Sequence, residues 1–324
     1  MGTDDDNADD NTDDNDGIAE GDDVGFERSG YGVVLDAGWS EAVVRSRHPV
    51  DGSRVFTVDA TPGAPPGAVV LLHGVGNNGA VFAPIMSSLA GLGTVVAPTL
   101  SPELLTDVGD ERALMSARLI DWLSAVVAPP WRLVGHSMGG VMAGLIVRTR
   151  PDLVESAVLL NAPLPGVVQR IRFRNTVDRT GRALLFMRGL AAVTRFGRPR
   201  LPWFLRGAEV AAVRLALRGF VHAPGALDAR VLRRAVLGSR TTDGNRFLAL
   251  AAALPTWESE PFDRVPVTIL LGDADPLIPA GDVDAIVEMY PGADVHVLAN
   301  CGHFVHLEWP QRSVDTICRF LTAP

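Results

Sequence analysis

Short apolar runs alternate with stretches of helical period along the chain from residue 41. Glu41–Arg47 and Arg54–Val58 read as edge strands. Ala68–Leu72 is an unbroken apolar run ending at His73-Gly74, the pattern of a strand covered on both faces. An amphipathic stretch over Gly79–Leu92 leads to a strand at Thr94–Ala97, a helix over Glu111–Val127 and a strand at Trp131–Val134. A helix over Met138–Arg148 and a strand at Ser156–Leu160 complete a βαβαβαβ order. That order predicts an α/β protein with a mostly parallel, doubly wound sheet.

After Asn161-Ala162-Pro163 the period changes. Residues 182–196, 203–220, 226–238 and 244–254 all read as helices, separated by Pro199, Pro202, Pro224 and the Asp243-Gly244 pair. The βα rhythm resumes at Val267–Leu271, with a helix near Gly281–Met289, a strand at Asp294–Leu298 and a final helix from about Gln311 to Leu321. The expected organisation is one core, 24–163 together with 257–324, interrupted by an all-helical cap over 164–256. Residues 1–23 offer almost nothing to bury and are expected to stay disordered.

Charge follows the same partition. The chain has 324 residues and a net charge of −9, but the first 23 residues hold ten Asp, one Glu and no base, which leaves the rest close to neutral. Segment 164–256 carries 17 Arg against Asp178, Glu209, Asp228 and Asp243, so a basic cap faces an acidic core. Every base is Arg. The absence of Lys excludes Schiff-base chemistry, a Lys general base and a Walker-type phosphate loop. Two cysteines, Cys301 and Cys318, make neither a disulfide framework nor a zinc site, and the histidines lack partners at ligand spacing. No metal, cofactor or nucleic-acid partner is expected. No apolar run reaches the roughly 18–20 residues that span a bilayer, and the N-terminus is acidic, so a cytoplasmic location is expected.

The strand Trp131–Val134 runs into Gly135-His136-Ser137-Met138-Gly139-Gly140 and then a helix, the context of a G-x-S-x-G turn. Small residues flank such a turn because a side chain there would meet the adjacent strand and helix, and the turn leaves the Ser137 hydroxyl protruding. A serine nucleophile needs a base and a carboxylate to orient that base. Gly272-Asp273-Ala274-Asp275-Pro276 and Asn300-Cys301-Gly302-His303-Phe304 each follow a strand, which puts them on the same sheet rim as Ser137 in the order Ser, Asp, His. Asp273 and Asp275 compete as the acid. His303, with Gly302 before it, is favoured over His306 as the base; His306 is expected to pack or hydrogen-bond at the start of the last helix. The loop His73-Gly74-Val75-Gly76 follows the strand Ala68–Leu72, and the amides of Val75 and Met138 are the expected oxyanion hole. His73 and His136 read as structural or substrate-facing, and Cys301 as a buried inert thiol.

Over residues 41–324 the sequence resembles the α/β-hydrolase superfamily in its capped serine-nucleophile branch. His73-Gly74, Gly135 to Gly140, Gly272 to Pro276, and Gly302-His303 through Leu307-Glu308-Trp309-Pro310 carry the resemblance. It implies Ser137 as nucleophile, Asp275 as acid and His303 as base, with a lid inserted after the sixth strand. Asn161 stands where some members keep their acid. The implied activity is hydrolysis of an ester or thioester of a medium-sized apolar acid through an acyl-enzyme. A carbon–carbon bond hydrolase of ring-cleavage dienoates and a non-catalytic ligand-binding protein on the same scaffold are the alternatives. Three readings fit the cap arginines: docking onto the acidic core, transient contact with a lipid interface, or a clamp on an anionic substrate group.

Overall fold

Continuous apolar runs make the centre of the molecule. The computed structural model describes residues 43–74, 77–100, 104, 112–163, 214–215, 217–228, 262–278 and 283–322. Its eight strands are β1 (Val43–Arg47), β2 (Arg54–Val58), β3 (Ala68–Leu72), β4 (Thr94–Pro98), β5 (Trp131–His136), β6 (Val154–Leu160), β7 (Val267–Gly272) and β8 (Asp294–Leu298). They form one sheet in the order β1-β2-β4-β3-β5-β6-β7-β8. β1 pairs with β2 and β2 with β4 antiparallel; the remaining pairs are parallel. The mostly parallel α/β sheet expected from the sequence is therefore present.

Every residue of β3, β5 and β7 is buried, whereas the edge strand β1 is largely exposed and β8 is half-buried to exposed. Successive side chains of a central strand face opposite sides. Val70, Leu72 and Leu133 accordingly join one core with Leu119, Leu123, Met142 and Ile146, while Val69, Leu71 and Val134 join a second with Phe82, Ile85, Val314 and Ile317. The first core lies under α2 (Arg112–Ser124) and α3 (Met138–Thr149); the second lies under α1 (Ala83–Met86) and α6 (Pro310–Leu321). Helices α4 (Val283–Met289) and α5 (Val305–Glu308) complete the described elements of that type.

Gly79–Leu92 differs from the amphipathic stretch expected. It folds as two 3-10 segments, Gly79–Phe82 and Ser87–Leu92, around the single turn α1, and only Ser88 and Gly91 in it are exposed. The segment has no charged residue, and Pro84 together with the glycines favours short turns over one long helix. It fills a core position.

The acidic tail lies outside the described residues, as do the expected helices 182–196 and 244–254 and most of 203–220 and 226–238. Where 214–228 is described, a helical turn ends by Phe220 and a 3-10 turn forms at Pro224–Ala226. Leu217, Phe220, Val221 and Leu227 are buried there against Phe304. Among the described residues, no helix is long and apolar enough to cross a membrane.

Candidate active site

Parallel strands carry their following loops to one rim. Placing β4 outside β3 makes the chain cross over beside β3 and β5, and the crevice at such a point is where open α/β sheets bind ligands. His73 follows β3, Ser137 follows β5, Asn161 follows β6, Asp275 lies beyond β7 and His303 beyond β8. All five belong to that rim.

Ser137 sits between β5 and α3 at φ 52° and ψ −117°, a region that costs a non-glycine residue on the order of 1–3 kcal/mol. Neighbouring structure holds it there. Its amide donates to the Leu160 carbonyl at 2.9 Å, and its carbonyl accepts from the amides of Gly140 (2.9 Å) and Val141 (3.1 Å). The flanking glycines have a steric reason. A Cβ on Gly139 would overlap the Leu72 carbonyl, and one on Gly135 the Gly139 carbonyl. Met138 opens α3, where the first amides have no carbonyl one turn earlier to accept from them. Val75 lies outside the described residues.

Asp275 and His303 are brought together. Nδ1 of His303 donates to Oδ2 of Asp275 at 2.8 Å, with both side chains buried. The same Oδ2 accepts from Nδ2 of Asn161 at 2.6 Å, and Oδ1 accepts from the Leu277 amide at 2.8 Å. The carboxylate is thus fixed by three donors. Asp273 is placed differently: it is exposed, and its Oδ1 accepts from the Cys301 amide at 3.1 Å. The Cys301 thiol is buried and its pKa pushed up by burial, with Glu308 and the neighbouring aspartates adding to the effect.

Three further histidines surround the turn, and all are fully buried. Nδ1 of His73 donates to the Gly74 carbonyl at 2.8 Å while its Nε2 accepts from the Leu100 amide at 2.9 Å, so the ring ties two rim loops together. Burial lowers its pKa to about 4. Nε2 of His136 donates to the main-chain carbonyl of His303 at 2.8 Å, which links the residue beside Ser137 to the loop bearing His303. Its pKa is held well below the usual histidine range by burial and by the neighbouring His306 and His303. His306 packs 4.5 Å from the His136 ring and 5.0 Å from Phe82, between ring centres, with neither nitrogen hydrogen-bonded among the described residues. Burial and His303 take its pKa down to about 3. Of the two expectations for His306, packing is the one seen among the described residues.

Sequence reasoning missed two residues. Asn161 stands where some relatives keep an acid and has no role by sequence, yet its amide grips Asp275, and its own φ of 45° is one that asparagine tolerates better than most residues. Glu308 carries no role in the motif Leu307-Glu308-Trp309-Pro310, although its carboxylate holds the His303 loop. A buried polar residue directly after a strand and a glutamate five residues past the histidine were the available signals. Among the described residues, no group of three His, Cys, Asp or Glu could hold a metal ion.

Comparison with known proteins agrees with this architecture. The sequence pattern of the Alpha/beta hydrolase family matches residues 69–316. Uncharacterized protein Rv2715 of Mycobacterium tuberculosis is 25% identical over 266 residues, which cover 78% of this chain and 75% of that protein. The sn-1-specific diacylglycerol lipase ABHD11 of Mus musculus is 25% identical over 219 residues, 64% of each chain. Naproxen esterase of Bacillus subtilis superposes with a TM-score of 0.61 at 16% identity, covering 88% of this chain and 93% of that one, a likeness of fold. The chain belongs to the alpha/beta hydrolase family.

Proposed function

We propose that the chain is a serine hydrolase that cleaves a carboxylic ester or thioester of a medium-sized apolar acid through an acyl-enzyme. The observation that carries this reading is the buried Asp275–His303 hydrogen bond on the same rim as the strained Ser137 turn. Nδ1 of His303 is committed to Asp275, which leaves Nε2 to take the serine proton.

In this scheme Ser137 Oγ attacks the carbonyl carbon and its proton passes to His303 Nε2. Asp275 stabilises the imidazolium. The oxyanion is held by the amides of Val75 and Met138, each such donor being worth about 3 kcal/mol in the transition state. Collapse expels the alcohol or thiol, which leaves with the proton from His303. Water, giving a proton to His303, then attacks the acyl carbon; release of the acid returns that proton to Ser137. The lipase and esterase names among the relatives support an apolar ester as substrate. We take residues 164–256, helical by sequence period, as the cap of this hydrolase. Both cysteines are free thiols, which supports a reducing, cytoplasmic compartment.

The test is covalent labelling by a fluorophosphonate probe together with turnover of p-nitrophenyl esters of increasing acyl length. The wild-type chain should label and prefer a medium chain, and Ser137→Ala should do neither. Full labelling of the alanine variant would remove Ser137 from the role.

A further inference from the structure

The loop bearing His303 is held from two sides. Glu308, the last residue of α5, turns back so that Oε1 accepts from the amides of Gly302 at 3.0 Å and Phe304 at 3.4 Å, the two neighbours of His303. Its other oxygen, Oε2, accepts from the His222 amide at 2.7 Å. The amide of His303 itself donates to the Phe220 carbonyl at 2.6 Å. Three successive amides, 302 to 304, therefore go to one carboxylate or to one carbonyl of the 217–228 segment.

The steric fit is equally specific. A Cβ on Gly302 would overlap the Phe220 carbonyl and stand 2.9 Å from Val221 Cα, so the segment reaches this loop only because residue 302 is glycine. Leu217, Phe220, Val221 and Leu227 seal the contact by burying against Phe304, with Leu277 and Leu307 at its margin. A half-buried carboxylate loses hydration and is stabilised by the donors it meets in exchange, and charge-assisted bonds of this kind are the stronger ones. Burial raises the Glu308 pKa, and the three amide donors and His222 work against that rise.

We infer that Glu308 is a positioning residue for His303, and that its carboxylate locks the Phe220–His222 segment and the His303 loop into one hydrogen-bonded unit. The segment then moves only with the base. The inference rests on the proposed role of His303, and its consequence is that a group bound against Phe220 acts on the alignment of the imidazole. Phe220 lies close enough for this, its ring centre 6.1 Å from that of His303.

The test uses Glu308→Gln and Glu308→Ala in the full chain. A glutamine oxygen can serve Gly302 and Phe304, but its NH2 then faces the His222 N–H, so one arm breaks while the side chain keeps its size. In the folded Gln variant, kcat should fall about ten- to a hundredfold at nearly constant KM, the scale of one lost hydrogen bond to a charged group. The low-field proton resonance of the His303–Asp275 hydrogen bond should shift or broaden with it. In the wild type, the amides of Gly302, Phe304 and His222 should exchange with one common opening free energy, a measurement that stands even if the alanine variant does not fold. Unchanged kcat and an unchanged low-field proton in a folded Glu308 variant would overturn the inference, as would separate opening energies for His222 and Gly302. Exchange and the low-field proton do not depend on turnover. A chain that fails to label at Ser137 but shows the common opening energy would therefore sink the hydrolase reading and keep the lock.

Discussion

Acid should unfold this protein through its own rim. His73, His136 and His306 are fully buried with pKa values lowered below the ordinary 6.5, to about 4 for His73 and about 3 for His306. In the unfolded chain each takes up a proton as pH falls through the ordinary value, while in the folded chain each stays neutral, so the unfolded state binds more protons and stability falls with pH. Each group costs on the order of 1 kcal/mol between roughly pH 7 and pH 5.5, hence a few kcal/mol for the three. Glu308, with its raised pKa, acts in the opposite sense when it takes up its proton. Against a usual total of about 5–15 kcal/mol, the remainder is large. Urea unfolding at the two pH values measures it directly. His306→Leu gives the decisive comparison, because neither ring nitrogen has a hydrogen bond to lose among the described residues. The variant should lose about one proton from the slope and recover on the order of 1 kcal/mol at the lower pH. Equal pH dependence in wild type and variant, or a midpoint that does not move with pH, would refute the reasoning.

The site makes two further predictions besides those at Ser137 and Glu308. Asp275→Asn should lower ester turnover by about four decades with an unchanged circular dichroism spectrum, because the amide no longer selects the His303 tautomer. Asn161→Ala removes one of the three donors on that carboxylate and should lower kcat about tenfold; the low-field His303 proton should move at the same time. An unmoved resonance in the folded Asn161 variant would reduce the residue to packing.

The central sheet was legible because β3, β5 and β7 are buried on both faces, a condition that selects mainly apolar residues, with Arg132, His136 and Thr268 as the buried polar exceptions. The rim positions of Ser137, Asp275 and His303 were legible for a related reason: parallel strands bring the residues that follow them to one edge regardless of the intervening chain. Asp273 against Asp275 could not be separated by spacing alone, because two residues apart in a loop they face different partners only once the loop is folded. Gly79–Leu92 misled because an apolar run of this length looks alike as helix or as buried turns, and packing between sheet and α6 decided it. Glu308 escaped notice since its partners are main-chain amides, which have no residue identity to read. Asn161 escaped for the opposite reason: its partner is a side chain 114 positions away.

The departure of the chain toward 164–256 follows directly on Leu160, whose carbonyl holds the Ser137 amide, and Asn161, whose side chain holds Asp275. Both anchors precede Pro163, on the sheet side of the excursion. Neither contact involves residues 164–256, so replacing that segment leaves the Ser137 amide and the Asp275 carboxylate with these partners. The Phe220–His222 stretch is the exception: omitting it would remove the acceptor of the His303 amide and one donor to Glu308, while the Asp275 bond to the imidazole remains.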